Sequence, residues 1–250
     1  HGTYVPTEEQ KGTLDFEYRD VFLSIEDAMA VTKEMDSSAI IPYIVPMLCQ
    51  KVKELDGFRT EGIFRKSASI LDVKKLRNKE RIETETAHTY IHSYIYFSFD
   101  DQNVHIFANC LKEWLRSIED PLIPELYYDF CVEMAKQRKL DKGQFEVFFS
   151  QLPAVNRETL KYLVNFLREL IQPQNVEVTL MGLDNLATIF GPTLLRCEAL
   201  VSFSLQKFLF DSTKDNNKQN FVWKNKQDPT TALANVPSEK QFVIALIEKS

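Results

Sequence analysis

The sequence predicts a single all-α domain, on three observations. Apolar residues recur three and four positions apart through most of the chain instead of alternating, which is the periodicity of helices. Only 7 glycines and 10 prolines interrupt the 250 residues, so long runs are free of strong breakers. Several of those runs open on a short polar residue or are bounded by a proline, as helix ends are.

In chain order, Ser24 with Asp27 three positions on reads as an N-cap opening a helix from Ile25 to Glu34. Ser37 and Ser38, with Pro42 nearby, open a second helix to about Glu54, which Asp56-Gly57 ends. Glu61 to Ser69, holding Gly62 and two serines, is a loop, and helical spacing resumes from Ile70 to about Glu80. Asp101 caps a helix to about Ile118 with Val104, Phe107, Ala108, Leu111 and Leu115 as its apolar stripe, and Pro121 follows its end. Further helices are predicted over Glu125–Glu133, Gly143–Gln151, Asn156–Ile171, Leu180–Phe190 and Glu239–Glu248. Between the last two, Asp211 to Asn235 is rich in Asn, Lys, Asp, Gln and Thr and reads as a long polar surface loop. There is no internal repeat.

Composition limits the function classes. No apolar run approaches the roughly 20 residues of a membrane span, so a soluble domain without an integral membrane segment is expected. Residues 1–19 read as an N-terminal extension or the remnant of a cut from something longer, because His1-Gly2-Thr3 has neither an initiator Met nor the regions of a signal peptide. Cys49, Cys110, Cys131 and Cys197 are widely spaced with no C-x-x-C pair, which fits a reducing, cytoplasmic setting better than a zinc site or a disulfide scaffold. The net charge of −6 argues against nucleic acid as a partner. Within that average, Lys51–Arg81 holds 10 Lys/Arg against 5 Asp/Glu, so a basic face sits on an acidic body.

Motifs for self-contained catalysis are missing. No glycine precedes a lysine, which excludes the phosphate-cradling G-x-x-x-x-G-K-[ST] loop, and G-x-G-x-x-G and G-x-S-x-G are also absent. His88 and His92 stand four apart but lack the motif glutamate and a third ligand, so no metal is expected. The acidic pairs Asp100-Asp101 and Glu119-Asp120 lie at helix ends, where capping and the helix dipole account for them.

One loop is different. In Thr60-Glu61-Gly62-Ile63-Phe64-Arg65-Lys66-Ser67, Gly62 frees the backbone while Ile63 and Phe64 can anchor it, which would aim Arg65 outward. Taken alone, Arg65 is one more solvated arginine. Three further segments change that: Leu111-Lys112-Glu113-Trp114-Leu115-Arg116 leading to Pro121-Leu122-Ile123-Pro124, with Lys112 and Arg116 on one helix face; Asn156-Arg157-Glu158-Thr159-Leu160-Lys161-Tyr162-Leu163; and Asn185-Leu186-Ala187-Thr188-Ile189-Phe190-Gly191-Pro192-Thr193-Leu194-Leu195.

With Val21-Phe22 and Ile41-Pro42, these motifs in this order resemble the GTPase-activating domain of the Rho GTPase-activating protein (RhoGAP) family over roughly Asp20 to Leu195. The resemblance implies one helical domain over residues 20–250, of about nine helices, with an arginine-finger loop between two of them. It implies a partner, a GTP-loaded small GTPase of the Rho, Rac or Cdc42 kind, and an activator rather than an enzyme in its own right. The domain would then have no cofactor of its own, since GTP and Mg²⁺ are bound by the partner GTPase. Arg65 matches the finger, Lys112 the lysine that contacts the GTPase, Arg116 the arginine that braces the finger loop, and Asn185 the asparagine at the interface beside it. Gly62, Phe64, Pro121 and Pro192 are expected to shape loops. The implied setting is cytoplasmic and monomeric, with membrane recruitment through the partner or through other domains.

The match departs from the family at Ala68, where glycine is usual, at Ile118-Glu119-Asp120-Pro121 for Leu-Pro-Glu-Pro, and at Thr193 for asparagine. None of these removes a charged group. Thr193 is expected to alter a hydrogen bond at the interface and Ala68 to tighten the finger loop. The rival readings are a GTPase-binding module without activity and a purely structural helical scaffold.

Overall fold

The structure, a computed structural model, describes residues 24–67, 103–196 and 229–250, with side chains in the last stretch from Leu233 onward. Every regular element among them is helical, and nine α-helices are present: α1 Ile25–Met35, α2 Ile44–Glu54, α3 Val104–Ser117, α4 Tyr128–Lys136, α5 Lys142–Gln151, α6 Ala154–Leu170, α7 Pro173–Thr179, α8 Leu183–Leu194 and α9 Pro229–Lys249. Short 3₁₀ turns at Gly57–Arg59 and Glu125–Tyr127 connect them. This is the all-α architecture the periodicity predicts.

Local chemistry sets several ends. Ser24 and Asp27 form a complete capping box: the Ser24 hydroxyl accepts from the Asp27 N–H at 3.0 Å, and the Asp27 carboxylate accepts from the Ser24 N–H at 3.1 Å. Helix α2 starts at Ile44 and not at the serines, because Ser38 closes a turn on Asp36 and the Tyr43 N–H is taken by the Thr32 hydroxyl at 2.9 Å. Gly57 follows α2, and a Cβ there would stand 2.5 Å from the Val52 carbonyl oxygen, so only glycine fits the reversal. Helix α3 is capped by Asn103, whose side-chain oxygen accepts from the His105 N–H at 3.1 Å, two residues later than the expected Asp101.

Three other boundaries differ from the sequence reading. The segment expected to start a helix at Leu180 is broken: α7 ends at Thr179, Leu180 adopts a left-handed conformation, and α8 begins at Leu183. Pro192 does not shape a loop; it lies in the last turn of α8, whose buried Phe190, Gly191 and Leu194 hold that turn in the core. Residues 229–235 of the expected polar loop belong to α9, where Asn235 is buried and accepts from the Lys136 ammonium at 2.9 Å. The expected helix over Ile70–Glu80, His88 and His92, Ala68, Cys197 and residues 211–228 lie outside the described residues.

The core runs through all the long helices. Trp114, Phe107, Leu111 and Leu115 of α3 are buried with Ile44, Leu48 and Val52 of α2, and Leu160, Leu163 and Leu167 of α6 complete the same cluster. Helix α9 packs on α8, α4 and α6. At its end the Arg168 guanidinium donates to the Ile247 carbonyl at 2.6 Å, capping carbonyls that the helix itself leaves free. Cys49, Cys110 and Cys131 are buried free thiols, with burial pushing Cys110 up to about 12 and the other two higher still, so none is a nucleophile. No helix among the described residues is long and apolar enough to cross a membrane.

Candidate functional site

The loop between α2 and the next described helix is a compact knot around Gly62. Gly62 has φ +72°, which glycine tolerates, and its carbonyl accepts from both the Arg65 and the Lys66 N–H, at 2.9 and 2.8 Å. Its own N–H donates to the Thr179 carbonyl at 2.7 Å, tying the loop to the end of α7. Both loop-shaping assignments, Gly62 and Phe64, fit this geometry.

Phe64 carries the loop's anchor. It is fully buried and meets the rings of Phe166 and Phe190 edge-on, at 6.1 and 5.4 Å between centroids. Its φ of +66° is unfavourable for a side chain with a Cβ, costing about 1–2 kcal/mol. Burying a phenylalanine side chain gives about 1.5–3 kcal/mol, and the aromatic contacts add to that, so packing wins and the strained turn persists. Ile63 is buried beside it, and the chain must then emerge at Arg65. Arg65 is exposed, and its guanidinium makes no hydrogen bond or ion pair among the described residues. Lys66, next to it, is paired with Glu61 at 3.2 Å.

Lys112 supplies the lock. Its side chain is buried, and the ammonium donates to the Phe64 carbonyl at 2.5 Å, the peptide group that leads into Arg65. Burial, with the Arg116 guanidinium one turn along, holds Lys112 below the ordinary lysine value, partly opposed by Glu113. His105, about two turns earlier on α3, is likewise held low by burial and then by Lys66 and Lys112, and its Nδ1 is buried without a partner among the described residues. The Lys112 ammonium thus lies partly dehydrated at the base of the loop.

This arrangement corrects two roles drawn from sequence. Lys112, expected at the partner surface, is turned inward and braces the loop, because a carbonyl 48 residues away lies within its reach. Arg116, expected to brace the loop, is exposed, with no side-chain bond to the loop's described residues; its carbonyl accepts from Arg196 at 2.7 Å. Spacing placed both on one face but could not say which of them points in.

Asn185 stands on the other side of the loop. It is exposed on the first turn of α8, and its amide donates to the Leu180 carbonyl at 3.0 Å. Since Thr179 holds Gly62, Asn185 and the Arg65 loop share one turn of chain. Pro121 is buried in the connection after α3, where the Asn156 amide donates to the neighbouring Leu122 carbonyl at 3.1 Å. Thr193 is buried and donates back to the Ile189 carbonyl at 3.1 Å, so it reaches no surface and alters no interface bond. Sequence reasoning missed Phe166, Phe190 and Thr179, which carry no polar motif and act only through packing or a backbone carbonyl. No group of three or more metal-ligating side chains is present among the described residues.

The RhoGAP domain family model matches residues 42–199, more than half of the chain, and spans Arg65, Lys112, Arg116 and Asn185. The chain is similar to GTPase activating protein homolog 3 of Dictyostelium discoideum, 32% identical over 225 residues that make up 90% of this chain and 14% of that protein. It is also similar to GTPase activating protein homolog 4 of the same organism, 37% identical over 71% of this chain and 18% of that protein. The chain thus spans less than a fifth of these relatives. Among solved structures, human Rho GTPase activating protein 15 superposes with a TM-score of 0.61 at 18% identity, covering 98% of this chain and 96% of that one, a likeness of fold. Fold, motif order and family model agree: the chain belongs to the RhoGAP domain family.

Proposed function

We propose that this domain binds a GTP-loaded Rho-family GTPase, of the Rho, Rac or Cdc42 kind, and accelerates its GTP hydrolysis by inserting Arg65 into the partner's nucleotide site, ending the signal. The observation that carries the reading is the state of Arg65: an exposed guanidinium without a side-chain partner among the described residues, on a loop fixed by Phe64, Gly62 and Lys112. A charge held ready in this way loses little freedom on entering a site.

Phosphoryl transfer builds negative charge on the γ-phosphate oxygens and the leaving oxygen, and a planar, permanently charged guanidinium matches it through paired N–H donors. The GTP and Mg²⁺ belong to the partner, and the domain contributes no cofactor. Arg116 and Asn185, both exposed near the finger, serve as docking groups, and Lys112 as a positioning group. The basic face around the loop assists encounter with a surface that carries bound phosphates. The domain works as a monomer in the cytoplasm, reaching membranes through its partner or through domains beyond this chain.

The test is single-turnover GTP hydrolysis by Rho, Rac, Cdc42 and Ras proteins at saturating domain, with affinity measured in parallel. Arg65→Ala is expected to reduce the stimulated rate by about 10³ to 10⁵, or roughly 4–7 kcal/mol of barrier, while affinity changes little. Near wild-type acceleration by Arg65→Ala would sink the assignment. Binding by the wild-type domain without acceleration would instead establish an inactive binding module, and equal affinity for GTP- and GDP-loaded partners a scaffold.

A further inference from the structure

Single exposed apolar residues are ordinary on a protein surface, and most of those here, such as Leu126 and Ile40, need no explanation. Leu180 differs because it is also in a left-handed backbone conformation, φ +56°. Such positions after a helix favour glycine or asparagine, since a Cβ is crowded there. Of the other described non-glycine residues with positive φ, Phe64 is compensated by burial, Asp56 is a residue type that tolerates the region, and Arg138 is polar. Leu180 is 53% exposed, so its side chain gains little burial in return for the strain.

The turn itself cannot relax. The Leu180 N–H donates to the Val176 carbonyl at 2.9 Å, its carbonyl accepts from Asn185 at 3.0 Å, and the carbonyl just before it, Thr179, accepts from Gly62 at 2.7 Å. These bonds explain why the backbone is left-handed. They do not explain why the residue there is a leucine. The same bonds place Leu180 beside the finger: through the Gly62 turn and the Thr179 carbonyl its Cα is no more than about 17 Å from that of Arg65. A partner covering about 800 Å² of surface spans roughly 30 Å, so a patch that receives Arg65 is wide enough to take in Leu180 as well. Val178, another partly exposed apolar residue, lies two positions earlier. Of the neighbouring charges, Lys66 is paired with Glu61 and Lys240 with Asp184, while Glu177 beside Val178 is exposed.

We propose that Leu180, with Val178, is an apolar docking knob for the GTP-loaded small GTPase that Arg65 enters, seating against an apolar side chain on the GTPase surface and so setting which GTPases are accepted. The inference rests on the reading of Arg65 as a finger and adds to it the contact that selects the partner. The apolar contact excludes water around the entering guanidinium, as a ring of modest contacts does around the centre of an interface. A GTPase with a charged residue at that place leaves the charge dehydrated against leucine and is rejected.

The informative variant is Leu180→Asn, because asparagine accepts the left-handed backbone and removes only the apolar side chain. The expected result is a domain that melts a few degrees higher than wild type, binds the preferred GTP-loaded GTPase about tenfold more weakly, and loses far less rate at saturation. A structural role for Leu180 predicts the reverse, a lower melting temperature with affinity unchanged. Leu180→Asp is expected to weaken binding further and to alter the ranking across the Rho, Rac and Cdc42 panel. Unchanged affinity in both variants would overturn the Leu180 inference and leave Arg65 untouched. If the wild-type domain bound but did not accelerate hydrolysis, the finger would fall while the loss of affinity in Leu180→Asn still supported the docking contact; failure of the wild-type domain to bind any GTP-loaded panel member would overturn both.

Discussion

Replacing Lys112 with methionine separates bracing from docking. Methionine keeps nearly the length and the apolar stem of lysine but removes the ammonium that donates to the Phe64 carbonyl at 2.5 Å. That carbonyl then lies in a buried pocket without its donor, at a cost of about 1–3 kcal/mol. The loss is partly offset, because burying the Lys112 ammonium is itself unfavourable, as its lowered pKa indicates. A net destabilisation of about 1–2 kcal/mol is expected, a fall of roughly 2–8 °C in Tm for a domain of this size. The same loss bears on the loop alone, so the ratio of loops that hold Arg65 in place to loops that do not drops by a factor of about 5–30. Single-turnover hydrolysis at saturating domain reads the held fraction directly, and equilibrium titration against the GTP-loaded partner reads docking. Bracing predicts a rate loss of up to that factor with affinity within about twofold of wild type. Weaker affinity with an unchanged saturating rate would refute the argument and return Lys112 to the partner surface.

Two further substitutions probe the frame behind the loop. Gly62→Ala forces φ +72° on a residue with a Cβ; since the nearest neighbour is the flexible Lys66 side chain at 3.0 Å, backbone strain dominates, and a cost of about 1–2 kcal/mol is expected. Thermal melts should show a clear fall in Tm together with slower stimulated hydrolysis, and an unchanged Tm would mean that the loop adopts another backbone. Glu239 is buried, its Oε1 accepts from the Tyr128 hydroxyl at 2.5 Å, and its Oε2 lacks a partner among the described residues, so burial raises its pKa above 4.5 despite that bond. A raised carboxyl pKa means the fold favours the protonated form, so wild-type stability falls as pH rises from 4.5 through the raised value and stays low above it. Glu239→Gln keeps the acceptor for Tyr128 and removes the charge, and should melt about 2–4 °C above wild type at pH 7.5, with the gap closing towards pH 4.5; a gap that does not vary with pH would contradict this account.

What the sequence determined by itself was whatever a few neighbouring residues decide. The all-α class follows from apolar spacing. The Ser24–Asp27 capping box closes within three positions, and Gly62 and the loop before Lys66 follow from the backbone preferences of the residues present. The candidate site residues were named from an ordered set of short motifs, and Arg65 lies on a loop as expected. The tertiary structure decided everything that depends on a partner far along the chain. Lys112 and Arg116 share a helix face and a charge, and only the approach of the Phe64 carbonyl, 48 residues away, turns one inward and leaves the other out. Pro192 reads as a helix breaker, yet packing of Phe190 and Leu194 in the core holds it within α8. Asn235 reads as loop polarity, but Lys136, 99 residues earlier, supplies its bond inside α9. Leu180 reads as a helix start, whereas bonds to Asn185 and the tie of Thr179 to Gly62 hold it in a left-handed turn beside the finger. Local propensities differ by about 1 kcal/mol or less per residue, and a buried contact or a charge-assisted bond exceeds that, so where the two disagree the distant partner prevails.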